Sequence, residues 1–314
     1  MGIFNNEIVN SMTGVVRQHQ FVLKLLASFL LLAYCFNLMD FDELRQIDVR
    51  WRWFFLAWVL VLLDQVIGAY RFKVLMDPVH PLAASTHIKY YFWAGFFNSA
   101  LPGSIGGDAM RIFWLKRDSI SAGRAALLVI IERGIGVFTL ILIAAIAAIN
   151  VHLPASFTKI ATALGIGLSV IFLVGAGSFL LLKRVQLKPV IASIVENFRV
   201  IASAAKMAKL LSLSLLYQVL TVTITICVGI SLGIDIELGI WFFIVPLVWL
   251  ITFAPISLGG LGVRELSLVY LLGAYGQPGE QAVVLGLMTF LVHLAGGLPG
   301  GVWYVYAGRH KSDR

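Results

Sequence analysis

The sequence predicts an all-α integral membrane protein, with about six transmembrane helices and two re-entrant helical hairpins arranged as an inverted repeat. Three observations carry that reading. Apolar residues make up 60% of the 314-residue chain and charged residues only 13%, with a mean hydropathy of +0.91. A soluble core of this length has no use for so much apolar surface. An apolar run through Phe96, Phe97, Asn98 and Leu101 breaks on Pro102-Gly103-Ser104-Ile105-Gly106-Gly107 and restarts on Asp108, with Arg111 one turn later. The same pattern, P-x-S-(I/L)-G-G-x-x-x-R, returns at Pro255, Ser257, Gly259, Gly260 and Arg264, 153 residues further on and so about half the chain away. Bilayer hydrocarbon tolerates irregular backbone only where protein or a water-filled cavity covers it. Two broken apolar segments at matching places in two halves mark a transporter built from repeats.

Six segments are long enough to cross a core of roughly 30 Å, which takes about 20 helical residues. They are Phe21–Met39, Trp53–Tyr70, Ala125–Asn150, Ile160–Leu182, Leu210–Leu232 and Ala282–Tyr306. The first is expected to be a retained anchor, because no small-residue cleavage pattern follows it. The limbs of the broken segments, Ile88–Leu101 with Asp108–Leu115 and Ile240–Phe253 with Val263–Tyr275, are mostly too short to cross alone. Each is either a kinked span or a hairpin whose tip stops inside the bilayer. Charge separates the two. With a cytoplasmic N-terminus and two hairpins, 17 of the 24 Lys and Arg residues lie inside, Arg71, Lys73, Lys116 and Arg117 among them. A full first crossing would put the basic stretches Arg71–Lys89 and Lys116–Arg124 on opposite sides, against the positive-inside rule. Each half then crosses three times, so the second repeat (157–314) is inverted relative to the first (1–156). Both termini are expected in the cytoplasm, with the protein in a bacterial or archaeal inner membrane. The basic stretch Leu187–Lys209 is either a solvated connector or an interfacial helix on anionic lipid.

The net charge of +8 is explained by basic residues collected beside spans, so no nucleic-acid partner is expected. Cys35 and Cys227 both fall in apolar spans and suggest neither a disulfide framework nor a metal site. No cofactor is expected. The G-K-(S/T) ending of a nucleotide P-loop is missing after Pro102–Asp108, and neither H-E-x-x-H nor G-x-S-x-G occurs. An enzyme is therefore not expected.

Charge inside the membrane is costly, roughly 2.5–3.5 kcal/mol per residue on insertion scales, and such residues mark pathways. Asp108 with Arg111, Glu132 with Arg133, and Arg264 with Glu265 are the candidates. Each pair alternatively braces the two halves, and Asp108 alternatively caps the helix that follows the break. The glycines of the two tips either let amides converge on an anion such as phosphate, helped by the positive end of the following helix, or only permit close helix packing. Asp64 has no evident partner; a proton site and a place beside a polar cavity are equally open. His293, alone beside Gly296 and Gly297, reads as a packing or hydrogen-bonded histidine.

Asn98, the run Leu101 to Asp108, Arg111, Glu132-Arg133-Gly134, and Pro255 through Glu265 resemble the lysylphosphatidylglycerol synthase/flippase transmembrane family. That family includes the membrane half of the multiple peptide resistance factor and stand-alone relatives linked to hopanoid, polyprenyl-phosphate or surface-glycan pathways. The resemblance covers nearly the whole chain. It implies movement of an amphiphilic lipid, either a membrane phospholipid or a polyprenyl-phosphate lipid, between leaflets. It does not imply lysyl transfer, which in the family belongs to a separate soluble aminoacyltransferase domain; a stand-alone form is expected here. The alternatives are a membrane partner of a lipid- or glycan-synthesis enzyme that presents lipid without moving it, and an ion-coupled transporter of a small anion with Asp64 or Glu132 as the coupling group. A homo-oligomer is left open.

Overall fold

The computed structural model describes residues 23, 25–37, 42, 47–100, 106–155, 157–160, 162–167, 204–253, 257 and 259–312. Pro102, Ser104 and Pro255, most of the expected span Ile160–Leu182 and most of the basic stretch Leu187–Lys209 lie outside them. The described helices are α1 (Leu25–Asn37), α2 (Trp51–Met76), α3 (Ala84–Ala100), α4 (Gly106–Arg117), α5 (Ala122–Asn150), α6 (Ala204–Ser231), α7 (Leu238–Thr252), α8 (Val263–Gly273) and α9 (Gly279–Ser312). Four of them, α2, α5, α6 and α9, are long and apolar enough to cross a membrane. The protein is an integral membrane protein.

The crossing helices run past the expected ends by up to about two turns: Trp53–Tyr70 becomes Trp51–Met76, and Leu210–Leu232 becomes Ala204–Ser231. Their outer faces explain why. Phe55, Leu63 and Ile149 stay exposed on the molecule, as lipid-facing residues should, so burial within the protein does not set helix length.

The two halves correspond helix by helix. Shifting α2, α3, α4 and α5 by the 153-residue offset of the two motifs lands within a few residues of α6, α7, α8 and α9, α9 alone running on beyond its counterpart. Packing is exchanged in the same way. α3 of the first half lies on α9 of the second, while α7 of the second lies on α5 of the first. Small residues allow these approaches. A Cβ added at Gly300 would sit 2.0 Å from the Phe92 carbonyl oxygen, and Gly297 backs onto Gly95 and Phe96. The matching stretch of α5 supplies buried Ala144 and Ala147.

Between the halves, the equivalent helices α2 and α6 pack against each other, and they run antiparallel. The Arg50 amide at the start of α2 donates to the Ser231 carbonyl at the end of α6, 2.8 Å away. At the other end Lys209 lies over the Tyr70 ring.

Two apolar clusters mark the ends of the bundle. One joins Leu75 and Met76 at the end of α2, Leu115 at the end of α4, Ala125 and Leu128 at the start of α5 and Leu210 at the start of α6. The chain therefore leaves this end in α3 and returns to it in α4. Tyr90, early in α3, donates to Asp118 just beyond α4 at 2.7 Å. The other cluster joins Ile240 at the start of α7 to Leu271 and Leu272 at the end of α8, with Ala147 of α5 and Leu232 after α6. The pair α7–α8 thus opens at the opposite end.

Candidate functional site

Helices α2 to α9 enclose a cavity of 620 Å³, with Leu25 of α1 on its rim. Its wall carries Asp64, Gln65, Arg71, Asn98, Asp108, Arg111, Glu132, Arg133, Arg264 and His293, with aromatic panels from Tyr91, Tyr217, Trp249, Phe253 and Phe290. An apolar bundle of this kind keeps polar groups only where they are paired or functional, and here most are paired.

The first tip explains its glycines by contact. α4 begins at Gly106, so Asp108 is its third residue and not its N-cap. The capping is done from the neighbouring helix: the Gly107 amide donates to Asn98 Oδ1 at 2.8 Å. A Cβ on Gly107 would lie 2.2 Å from the Ala94 carbonyl oxygen, so only glycine lets α4 meet α3 here. The second tip uses glycine differently. Gly259, Gly260 and Gly262 have φ of +60°, +79° and +81°, a region that costs other residues strain. The Gly262 amide donates to Glu265 Oε2 at 2.6 Å, which closes the first turn of α8. At both tips a backbone amide offered for an anion is thus held by a side chain of the protein itself. Ser257 is buried, and its hydroxyl has no hydrogen-bond partner.

With Asp108 free of capping, its two oxygens take Arg111 and Arg133. Arg111 Nη1 also donates to Glu132 Oε2 at 2.7 Å, and Arg71 Nη2 donates to Glu132 Oε1 at 2.9 Å. The result is a ladder, Arg71–Glu132–Arg111–Asp108–Arg133, joining α2, α5 and α4. Aromatic rings flank it. The Arg111 guanidinium lies 5.0 Å from both the Phe72 and the Tyr91 ring centroids, and Arg71 lies 4.6 Å from that of Tyr217. Such contacts strengthen when water is excluded.

The expected Glu132–Arg133 pair does not form. Successive residues point about 100° apart on a helix, so one contacts Arg71 and Arg111 while the other reaches Asp108. The expected Arg264–Glu265 pair does form, at 2.8 Å, with the Arg264 guanidinium over Phe290. Arg71 is the residue the sequence reading misplaced. At the edge of an expected span it read as a cytoplasmic anchor, yet α2 continues to Met76 and carries it inside, 7% exposed at the side chain. Gln218, also unforeseen, donates to the Gly136 carbonyl at 3.1 Å and Gln65 to that of Gly296 at 2.7 Å. His293 hydrogen-bonds the Thr289 carbonyl through Nδ1 at 2.8 Å and stands edge-on to Trp249. Among the described residues no cluster of His, Cys, Asp and Glu could hold a metal ion.

The family model of the lysylphosphatidylglycerol synthase TM region matches residues 21–301. The chain belongs to that family. The match runs from the start of the first apolar segment into the last helix, so both halves, both tips and the cavity between them fall within the family's own extent. No curated protein matches the chain.

Proposed function

We propose that this member of the family is a lipid flippase, moving an anionic or polyprenyl-type phospholipid between leaflets of the cytoplasmic membrane. The headgroup passes through the cavity while the tails stay in the bilayer, and no covalent bond is made or broken. The observation that carries the reading is the wall of arginines. Arg71, Arg111, Arg133 and Arg264 all face one cavity, and the ladder holds three arginines against two carboxylates. A phosphate that leaves water needs cations to replace its hydration, and the planar guanidinium fork suits its oxygens. Because the Gly107 and Gly262 amides are engaged by Asn98 and Glu265, the arginines are assigned the larger part in meeting phosphate.

An inverted repeat suits this task. The antiparallel packing of α2 on α6, and helix pairs that open at opposite ends, support two half-structures related by an axis in the membrane plane. On this reading α3–α4 and α7–α8 are re-entrant hairpins and both termini lie in the cytoplasm, which the basic residues beside the spans support.

The test is a reconstitution. Purified protein in liposomes carrying a fluorophore-tagged phosphatidylglycerol is expected to speed exchange of the tag between leaflets relative to protein-free liposomes. Arg264→Gln is expected to slow it at least tenfold. Tag movement no faster than in empty liposomes overturns the reading for phosphatidylglycerol, and flux of free inorganic phosphate without tag movement favours a small-anion transporter.

A further inference from the structure

We infer that Asp64 is a proton-exchange site at the centre of the molecule, and that its proton sets the charge of the cavity. The second part rests on the proposal that the cavity receives a phosphate group. Asp64 lies mid-way along α2, and the residue opposite it on α6 is Tyr217, also mid-way along its helix. These two positions are 153 residues apart, so they are equivalents in the two repeats. Equivalent positions touch each other only near the axis relating the halves. In an inverted repeat that axis runs at mid-membrane, where a site is equally far from both water phases. Asp64 thus stands where a proton could be taken from one side and released to the other.

Its surroundings fit the same role. Asp64 is 5% exposed and lines the cavity. Tyr217 and Thr221 of α6 line the cavity beside it, and its Oδ1 is buried with no hydrogen-bond partner. The titratable and charged groups around it are otherwise committed. On its own helix, Arg71 is bound to Glu132 of α5. Tyr91 of α3 donates to the same Glu132. Asp108 and Arg111 of α4 and Arg133 of α5 complete the ladder. Arg264 of α8 is held by Glu265, and His293 of α9 by Thr289. Among the described residues, α1 gives the cavity Leu25, and α7 with the residue after it gives Trp249 and Phe253. Arg71, two turns along α2, acts on Asp64 only from a distance, and a carboxylate buried with no ion pair of its own is costly to ionise, so proton uptake is the inexpensive way for Asp64 to remain there.

The charge count gives the proton a consequence. With Asp64 ionised, Asp64, Asp108, Glu132 and Glu265 balance Arg71, Arg111, Arg133 and Arg264. With Asp64 protonated, the same set carries one excess positive charge, which suits a singly charged phosphodiester. Proton and phosphate then favour each other's binding.

Infrared spectroscopy of the full chain in lipid nanodiscs tests the site without reference to any substrate. A protonated-carboxyl band is expected to titrate across the physiological pH range. It should be absent in Asp64→Asn and shifted, not lost, in Tyr217→Phe. A band that never titrates, or no band belonging to Asp64, overturns the proposal. In liposomes with tagged phosphatidylglycerol, an imposed pH gradient is expected to speed exchange several-fold, and the gradient effect is lost in Asp64→Asn. A gradient effect that survives Asp64→Asn also overturns it. Absence of tag movement in the unaltered protein counts against the lipid reading, while the infrared titration still decides the proton site.

Discussion

Replacing Glu132 by Gln is the sharpest test of how the ladder holds the first half together. Glu132 accepts from Arg71 at 2.9 Å, from Arg111 at 2.7 Å and from the Tyr91 hydroxyl at 3.3 Å. The substitution keeps the shape and removes the charge. Its effect on the two arginines is unequal. Arg111 still has Asp108. Arg71 already has Nε and Nη1 without hydrogen-bond partners, so its ion pair with Glu132 goes and a buried guanidinium is left over the Tyr217 ring. Removing one partner of a buried pair costs about 3–5 kcal/mol, most of it the penalty of the stranded charge. At about 2–4 °C per kcal/mol for a large domain, the expected fall in Tm is on the order of 10 °C by thermal shift in detergent. Adding Arg71→Met removes the stranded charge at similar volume and is expected to recover about half of the loss or more. Asp77→Asn, which breaks the part-exposed pair with Lys73, is the control and is expected to cost under about 1 kcal/mol. A Glu132→Gln loss no larger than the Asp77→Asn loss, or a double variant no more stable than the single one, would refute the reasoning.

Gly107→Val is expected to cost at least about 3 kcal/mol, because its Cβ meets the Ala94 carbonyl oxygen and α4 must part from α3; Gly134→Ala, with nothing within 4 Å, is expected to be neutral or to gain up to about 1 kcal/mol in the same thermal assay. Gly300→Ala should be worse tolerated than a typical core change, since its Cβ meets the Phe92 oxygen at 2.0 Å; normal yield and Tm would mean α9 and α3 do not approach as described. Single cysteines at Val74 and Lys116 are expected to react with an impermeant maleimide from the same side of the membrane, since the ends of α2 and α4 share one apolar cluster, and labelling from opposite sides would remove the first hairpin. Arg111→Gln is expected to destabilise less than Glu132→Gln, because Asp108 keeps Arg133 and Glu132 keeps Arg71; the reverse order in the thermal assay would place the centre of the ladder at Arg111.

The sequence by itself determined the class of protein and showed the 153-residue motif repeat and the places where apolar helices break. Those features are local. Apolar length is set by bilayer thickness, and a Pro followed closely by consecutive glycines is a local signal for a helix break, whereas the lone Pro246 and Pro299 lie within helices. The 153-residue offset between Pro102 and Pro255 was legible for the same reason, and so were Asp108, Arg111 and Arg264 as charges inside apolar sequence. What the sequence left undecided was partnership. Glu132 and Arg133 are neighbours in the chain, yet one belongs to Arg71 and Arg111 and the other to Asp108, because a helix turns its side chains apart and only packing says which helix each one meets. Arg71 looked like an anchor at the end of a span, and the continuation of α2 to Met76 brought it inside. Gly107 and Gly260 looked like the same residue in two copies of one motif. Tertiary structure separated them: the first is glycine because a neighbouring helix leaves no room for a Cβ, the second because its backbone turns through positive φ. Asp64 and Tyr217 share nothing in sequence except their offset. Only the antiparallel packing of α2 on α6 set them face to face.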